Sequence, residues 1–111
     1  MISSAEMPDY RLLSEEEGTD CWFYEVELPS GSSMSSRHRI RLSWADYDLW
    51  VRDGSIEPVR VAEAVLKFVR DHPAFDPLPQ RIDSAHPRRH DSRADEAIGR
   101  IIRAPEHETR G

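Results

Sequence analysis

The chain has 111 residues and a mass of 12.8 kDa, which fits one domain and leaves little room for a second. Charged residues make up 32%, hydrophobic ones 38%, and the mean hydropathy is -0.69, so a modest core with polar tails or linkers is expected. The net charge of -6 argues against non-specific adhesion to nucleic acid or to an anionic membrane.

The charge deficit is N-terminal, because Glu6, Asp9, Glu15, Glu16, Glu17, Asp20, Glu25 and Glu27 face only Arg11 within residues 1–34. Cys21 is the sole cysteine and has no internal disulfide partner, so a reducing cytoplasm is the expected setting. No apolar run is long enough to span a membrane, and the first residues carry neither the basic start nor the apolar stretch of a secretory signal. Lys67 is the only lysine beside fourteen arginines, a bias that a GC-rich coding sequence explains without invoking phosphate recognition.

Residues 1–9 lack periodicity and contain Pro8, which predicts a flexible tail ahead of an α+β core over 10–72. Residues 10–13 read as a short edge strand, followed by a solvated acidic turn over 14–20. The strongest β signal is 21–28, where the even positions Trp22, Tyr24, Val26 and Leu28 are all apolar or aromatic. A Ser-rich connection follows Pro29, and 37–43 alternates again, with His38, Ile40 and Leu42 on one face and Arg37, Arg39 and Arg41 on the other. Together they predict an antiparallel hairpin. Opposed residues share a face, so their numbers sum to 66 or 64, and either register sets glutamates opposite arginines.

Ser43 and Asp46 have the spacing of a capping box and predict a short helix from residue 44 or 45 to about Val51, ending near Gly54. Pro58 opens a second helix that stops before Pro73. Its apolar residues cover an arc of roughly 220°, wider than one packed face requires, which suggests a central helix or one shared with a second copy. Four prolines (Pro73, Pro77, Pro79, Pro87) predict an extended connection over 73–90 instead of helix or sheet. A third, amphipathic helix is expected over 91–103, capped by Asp91 or Ser92, before a frayed tail at 104–111.

No catalytic, cofactor-binding or metal motif emerges. Cys21 and His38 fall on opposite faces of the hairpin, beyond the reach that a nucleophilic dyad needs. His86 and His90 have helical two-ligand spacing, but Pro87, Arg88 and Arg89 lie between them and bring proline and positive charge. Asp46 and Asp48 flank an aromatic stripe on different sides and do not form an acid–base pair.

Candidate interaction residues are Trp44, Tyr47 and Trp50 of an aromatic cluster, with Val61 and Phe68 of the second helix and Ile98 and Ile101 of the third. The cluster reads first as core closing over the hairpin, with an interface hot spot or a ligand-facing wall as the alternative. Candidate anion contacts are Arg37, Arg39, Arg41, Arg88 and Arg89, although neighbouring acids dilute them.

The fold class expected is α+β, with a two- or three-stranded antiparallel sheet covered by two to three helices. The functional expectation is a non-enzymatic cytoplasmic interaction or regulatory module without cofactor, working with a protein partner or a second copy of itself. The alternatives are a nucleic-acid-binding module using the arginine strand and, third, an enzyme with a site scattered through the chain.

Overall fold

The computed structural model describes residues 10–29 and 34–104, so the expectations for the two tails and for most of the Ser-rich connection lie outside the described residues. Strand β1 spans Arg11–Glu17, β2 Cys21–Pro29 and β3 Ser35–Ser43, a meander of antiparallel neighbours. Alternation in β2 buries Tyr24, Val26 and Leu28, and in β3 it buries His38, Ile40 and Leu42 on the same side. The register sum is 64, with Tyr24 opposite Ile40, Glu25 opposite Arg39 and Glu27 opposite Arg37.

The acidic turn expected at 14–20 is strand up to Glu17. A β-bulge between Leu12 and Ser14 inserts one residue, after which Glu15 and Glu17 stand opposite Tyr24 and Trp22. The bulge shifts the face parity, and this lets an acidic run pair as an edge strand that periodicity alone does not reveal. Gly18 permits the tight return to β2, since a Cβ there would sit 2.9 Å from Cys21 Sγ.

Helix α1 (Trp44–Trp50) follows β3 directly, with Ser43 Oγ accepting the Asp46 N–H at 3.0 Å. Gly54, at φ 68°, turns the chain toward α2 (Pro58–Asp71). Val61, Ala62, Ala64, Val65, Leu66 and Val69 of α2 are all buried. The sheet and helix α4 (Ala94–Arg103) receive this wide arc from different sides, so the chain itself covers it.

The stretch 73–90 is not the extended connection expected from its prolines. It holds a 3-10 turn at Pro73–Phe75, strand β4 at Arg81–Asp83 and helix α3 at His86–His90. Strand β4 pairs parallel with β3, Ile82 beside Ile40, so the sheet is four-stranded and mixed instead of two- or three-stranded and antiparallel. Proline is compatible with each element, because Pro73 and Pro87 occupy first-turn helical positions that need no N–H donor. The last helix begins at Ala94, later than expected, with Arg93 at its N-cap and Asp91 accepting from the Arg93 N–H at 2.9 Å.

Ile98 of α4 is fully buried against this core. Ile98→Ala is expected to cost about 2–5 kcal/mol in urea unfolding, whereas a detachable helix would lose almost nothing.

Tyr24 carries a buried hydroxyl without a partner among the described residues. Burial, and secondarily the negative charge of Glu15, raises its pKa above the ordinary tyrosine value of 10.0. A raised value means stability that is full below that ordinary value and is lost as the pH climbs toward the native one. Tyr24→Phe is therefore expected to gain about 1 kcal/mol at neutral pH and to flatten the alkaline limb of a Tm-against-pH curve.

Candidate functional site

Two side-chain assemblies stand out, one buried and one exposed. The buried one centres on Asp46 in α1. Its Oδ2 accepts from Ser84 Oγ at 2.6 Å and its Oδ1 from an Arg88 guanidinium N–H at 2.9 Å. Arg88 also forks onto Asp95 at 3.0 and 3.1 Å, and its guanidinium lies 5.9 Å from the Trp50 ring centroid. Ser84 Oγ in turn accepts the Ser43 N–H at 3.3 Å. Ser84 thus takes the backbone donor that a longer third-position acid would take in a capping box. Carboxylates and the desolvated cation push in opposite directions on Arg88, and the carboxylates win, raising its pKa. The cluster buries Asp46 and Ser84 at its centre and leaves Arg88 and Asp95 partly exposed at its rim. It is a clamp joining α1, β4, α3 and α4.

The exposed assembly is an aromatic shelf at the corner where β3 turns into α1. Trp22 of β2 packs against Trp44 with centroids 6.2 Å apart and planes at 52°, and edge-on against Tyr47 at 5.5 Å and 70°. The Trp44 N–H donates to the Asp20 carbonyl at 2.9 Å, and the Tyr47 hydroxyl donates to the Ile56 carbonyl at 2.5 Å. Although backbone and rings hold it, Trp44 remains 45% exposed. Leu49, further along α1, is 48% exposed.

The candidate interaction residues are therefore distributed, not joined. Trp44 and Tyr47 meet on the shelf, while Trp50, Val61 and Ile98 are buried in the core. Ile101 is half-buried, and Phe68 is half-buried beside His72. Trp22 joins the shelf and has a sequence signal, being the strand aromatic nearest in register to the helix start. Asp46 and Arg88 are legible singly, as a capping-box acid and a candidate anion contact, but their meeting with Ser84 and Asp95 has no sequence signal, because 38 positions separate the closest pair that meets at Asp46.

Among the candidate anion contacts, Arg88 is bound in the clamp, and Arg37 and Arg89 are exposed. Arg39 lies 4.3 Å over the Phe23 ring and 3.7 Å from Glu16. Arg41 contacts Asp83 at 3.1 Å and Asp20 at 3.6 Å. Glu27 pairs with Arg11 at 2.8 Å and accepts from Ser35, and these bonds hold its carboxyl below the usual range. On the helix-free side of the sheet Arg11, Arg37, Arg39, Arg41 and Arg81 thus stand among Glu16, Asp20, Glu25, Glu27 and Asp83.

Four histidines are engaged by their own chain. His38 donates from Nδ1 to the Pro79 carbonyl at 2.6 Å and meets Ser36 Oγ through Nε2 at 2.8 Å. His72 accepts the Ala74 N–H on Nδ1 at 3.1 Å and donates from Nε2 to Asp91 at 3.0 Å. The Arg93 N–H and His72 hold the Asp91 carboxyl below its ordinary value. His86 Nδ1 accepts the Asp83 N–H at 3.4 Å, and His90 stacks edge-on against Phe75 at 5.0 Å. Pro87 did not prevent α3, but this helix does not bring its two histidines together on a metal; among the described residues no group of three or more His, Cys, Asp or Glu side chains is placed to hold one. Beside His38 and His72 an open groove of about 660 Å³ runs between the end of the β2–β3 hairpin and residues 70–78.

Comparison with family models, with curated proteins and with solved structures returns no match for this chain. No helix of the described residues is long and apolar enough to cross a membrane.

The clamp makes a quantitative forecast. Asp46→Ala strands Ser84 and Arg88 and is expected to cost about 2–3 kcal/mol. A double-mutant cycle of Asp46→Ala with Ser84→Ala, read by urea unfolding, should return a coupling of about 0.5–3 kcal/mol. Additive losses would show that the two side chains act apart.

Proposed function

We propose that the chain is a non-enzymatic interaction module of the cytoplasm that docks a partner protein on the Trp22–Trp44–Tyr47 shelf. The observation that carries this reading is Trp44, a large ring left 45% exposed yet fixed by a neighbouring ring and a backbone hydrogen bond. A fixed, exposed tryptophan contributes contact area while losing little side-chain freedom on binding, which is why such residues dominate interface energetics. The clamp at Asp46 supports the same reading, since it anchors the helix that presents the ring.

Other readings find less support. General acid–base work needs a titratable group with a free position beside a cavity, and the two histidines that line the groove, His38 and His72, have both ring nitrogens hydrogen-bonded within the chain. Binding of nucleic acid through the arginine strand needs excess positive charge, and the arginines of that face stand among as many carboxylates.

The test is affinity capture from cytosol with the unmodified chain, Trp44→Ser and Arg39→Ala in parallel. A protein retained by the unmodified chain and by Arg39→Ala, and lost with Trp44→Ser, is the expected result. Retention that ignores Trp44→Ser, or no retention above a bead control, defeats the reading.

A further inference from the structure

The shelf has an electrostatic border that narrows the kind of partner it fits. Glu17 stands directly opposite Trp22 in the β1–β2 register and shares its face. Asp48 follows Trp44 by one helical turn on α1 and is exposed like it. Neither Glu17 nor Asp48 makes an ion pair among the described residues, whereas Asp20, the third acid of this corner, is 3.6 Å from Arg41. Arg41 sits on the other face of the sheet, where Asp83 also binds it, and Arg52 lies beyond the end of α1. Exposed Trp44 thus lies at a corner of the fold that carries two carboxylates without an ion pair among the described residues. An indole face attracts a cation through its quadrupole, and nearby carboxylates strengthen that attraction while repelling phosphate and acidic side chains.

We propose that the shelf takes a basic segment of a partner protein, with an arginine or lysine side chain laid across Trp44 and its charge shared with Glu17 and Asp48. This inference rests on the docking reading above and specifies the chemistry of the occupant. Arginine suits the place better than lysine, because its planar guanidinium stacks on a ring while its N–H groups reach carboxylates at the edge. The same charges turn away other occupants, since acidic peptides and nucleic acid meet repulsion at the border.

The experiment uses the full chain and three labelled probes, namely an Arg-rich peptide with two leucines, the same peptide with glutamates in place of arginines, and a single-stranded oligonucleotide. Anisotropy titrations run at low and physiological salt. The Arg peptide is expected to bind, the other two not. Trp44→Ala should weaken that binding about tenfold, and the double variant Glu17→Gln, Asp48→Asn should weaken it and reduce its salt dependence. Because the double variant changes only exposed side chains, it keeps the test intact where Trp44→Ala disturbs the fold. Arg39→Ala should leave the affinity unchanged. Equal or tighter binding of the glutamate peptide, lost with Trp44→Ala, overturns the basic partner but keeps the docking surface. Binding of the oligonucleotide in preference to the Arg peptide overturns the proposal in favour of nucleic acid, and binding indifferent to Trp44→Ala overturns the proposal and the docking reading together.

Discussion

One carboxylate holds the architecture to its helices. Asp46 is buried on the first turn of α1, yet its two oxygens bind a serine just past β4 and an arginine in α3. A lone buried carboxylate would be costly, and this one persists because each oxygen has a donor and Arg88 carries a matching charge. The bonds are directional, so they fix where α1 lies relative to the far end of the chain, which apolar contact alone would leave to slide. Through Arg88 the same carboxylate reaches Asp95 in the first turn of α4, a position where negative charge also complements the helix dipole. Without this hub, the 81–103 segment would be tied to the body by a three-residue strand, the apolar stripe of α4 and the side-chain contacts of Asp83, His90 and Asp91.

The distribution of charge reflects a related economy. The first third of the chain is strongly acidic and β3 supplies much of its counter-charge, Arg39 toward Glu16 and Arg41 toward Asp20. Each exposed pair contributes little free energy, commonly under about 1 kcal/mol. What the pairs contribute is register, because a slip by one residue would send Arg39 and Arg41 into the helix-covered face and Ile40 into water. Glu17 and Asp48 fall outside this neutralised zone, at the corner where Trp44 emerges.

What could be read from the residues was what depends on near neighbours. The hairpin and one of its two registers followed from period-two alternation, and the Ser43 cap and Pro58 start followed from local backbone chemistry. The fourth strand did not, because Arg81–Asp83 is too short for any period, and its place beside β3 depends on residues forty positions away. Proline content pointed the wrong way for 73–90, since two of its four prolines serve as helix starts. The acidic run of β1 was obscured by the bulge at Leu12, which breaks the alternation. Of the shelf, Trp44 and Tyr47 were visible as a cluster, but whether a ring is covered depends on what packs above it, and only the three-dimensional arrangement separates exposed Trp44 from buried Trp50.

The parallel pairing of β3 with β4 also bears on how the chain is made. Strands β1 to β3 are near neighbours and close through short returns, so they can assemble while the chain is still being synthesised. β4 arrives after some forty further residues. Until then the Arg39 N–H and the Arg41 carbonyl, which finally meet the Gln80 carbonyl and the Ser84 N–H, face outward as an open sheet margin. A nascent chain stalled before residue 80 would present that margin, flanked by Ile40 and Leu42, to any other growing polypeptide, so the interval between these two strands is when a chaperone has most to protect.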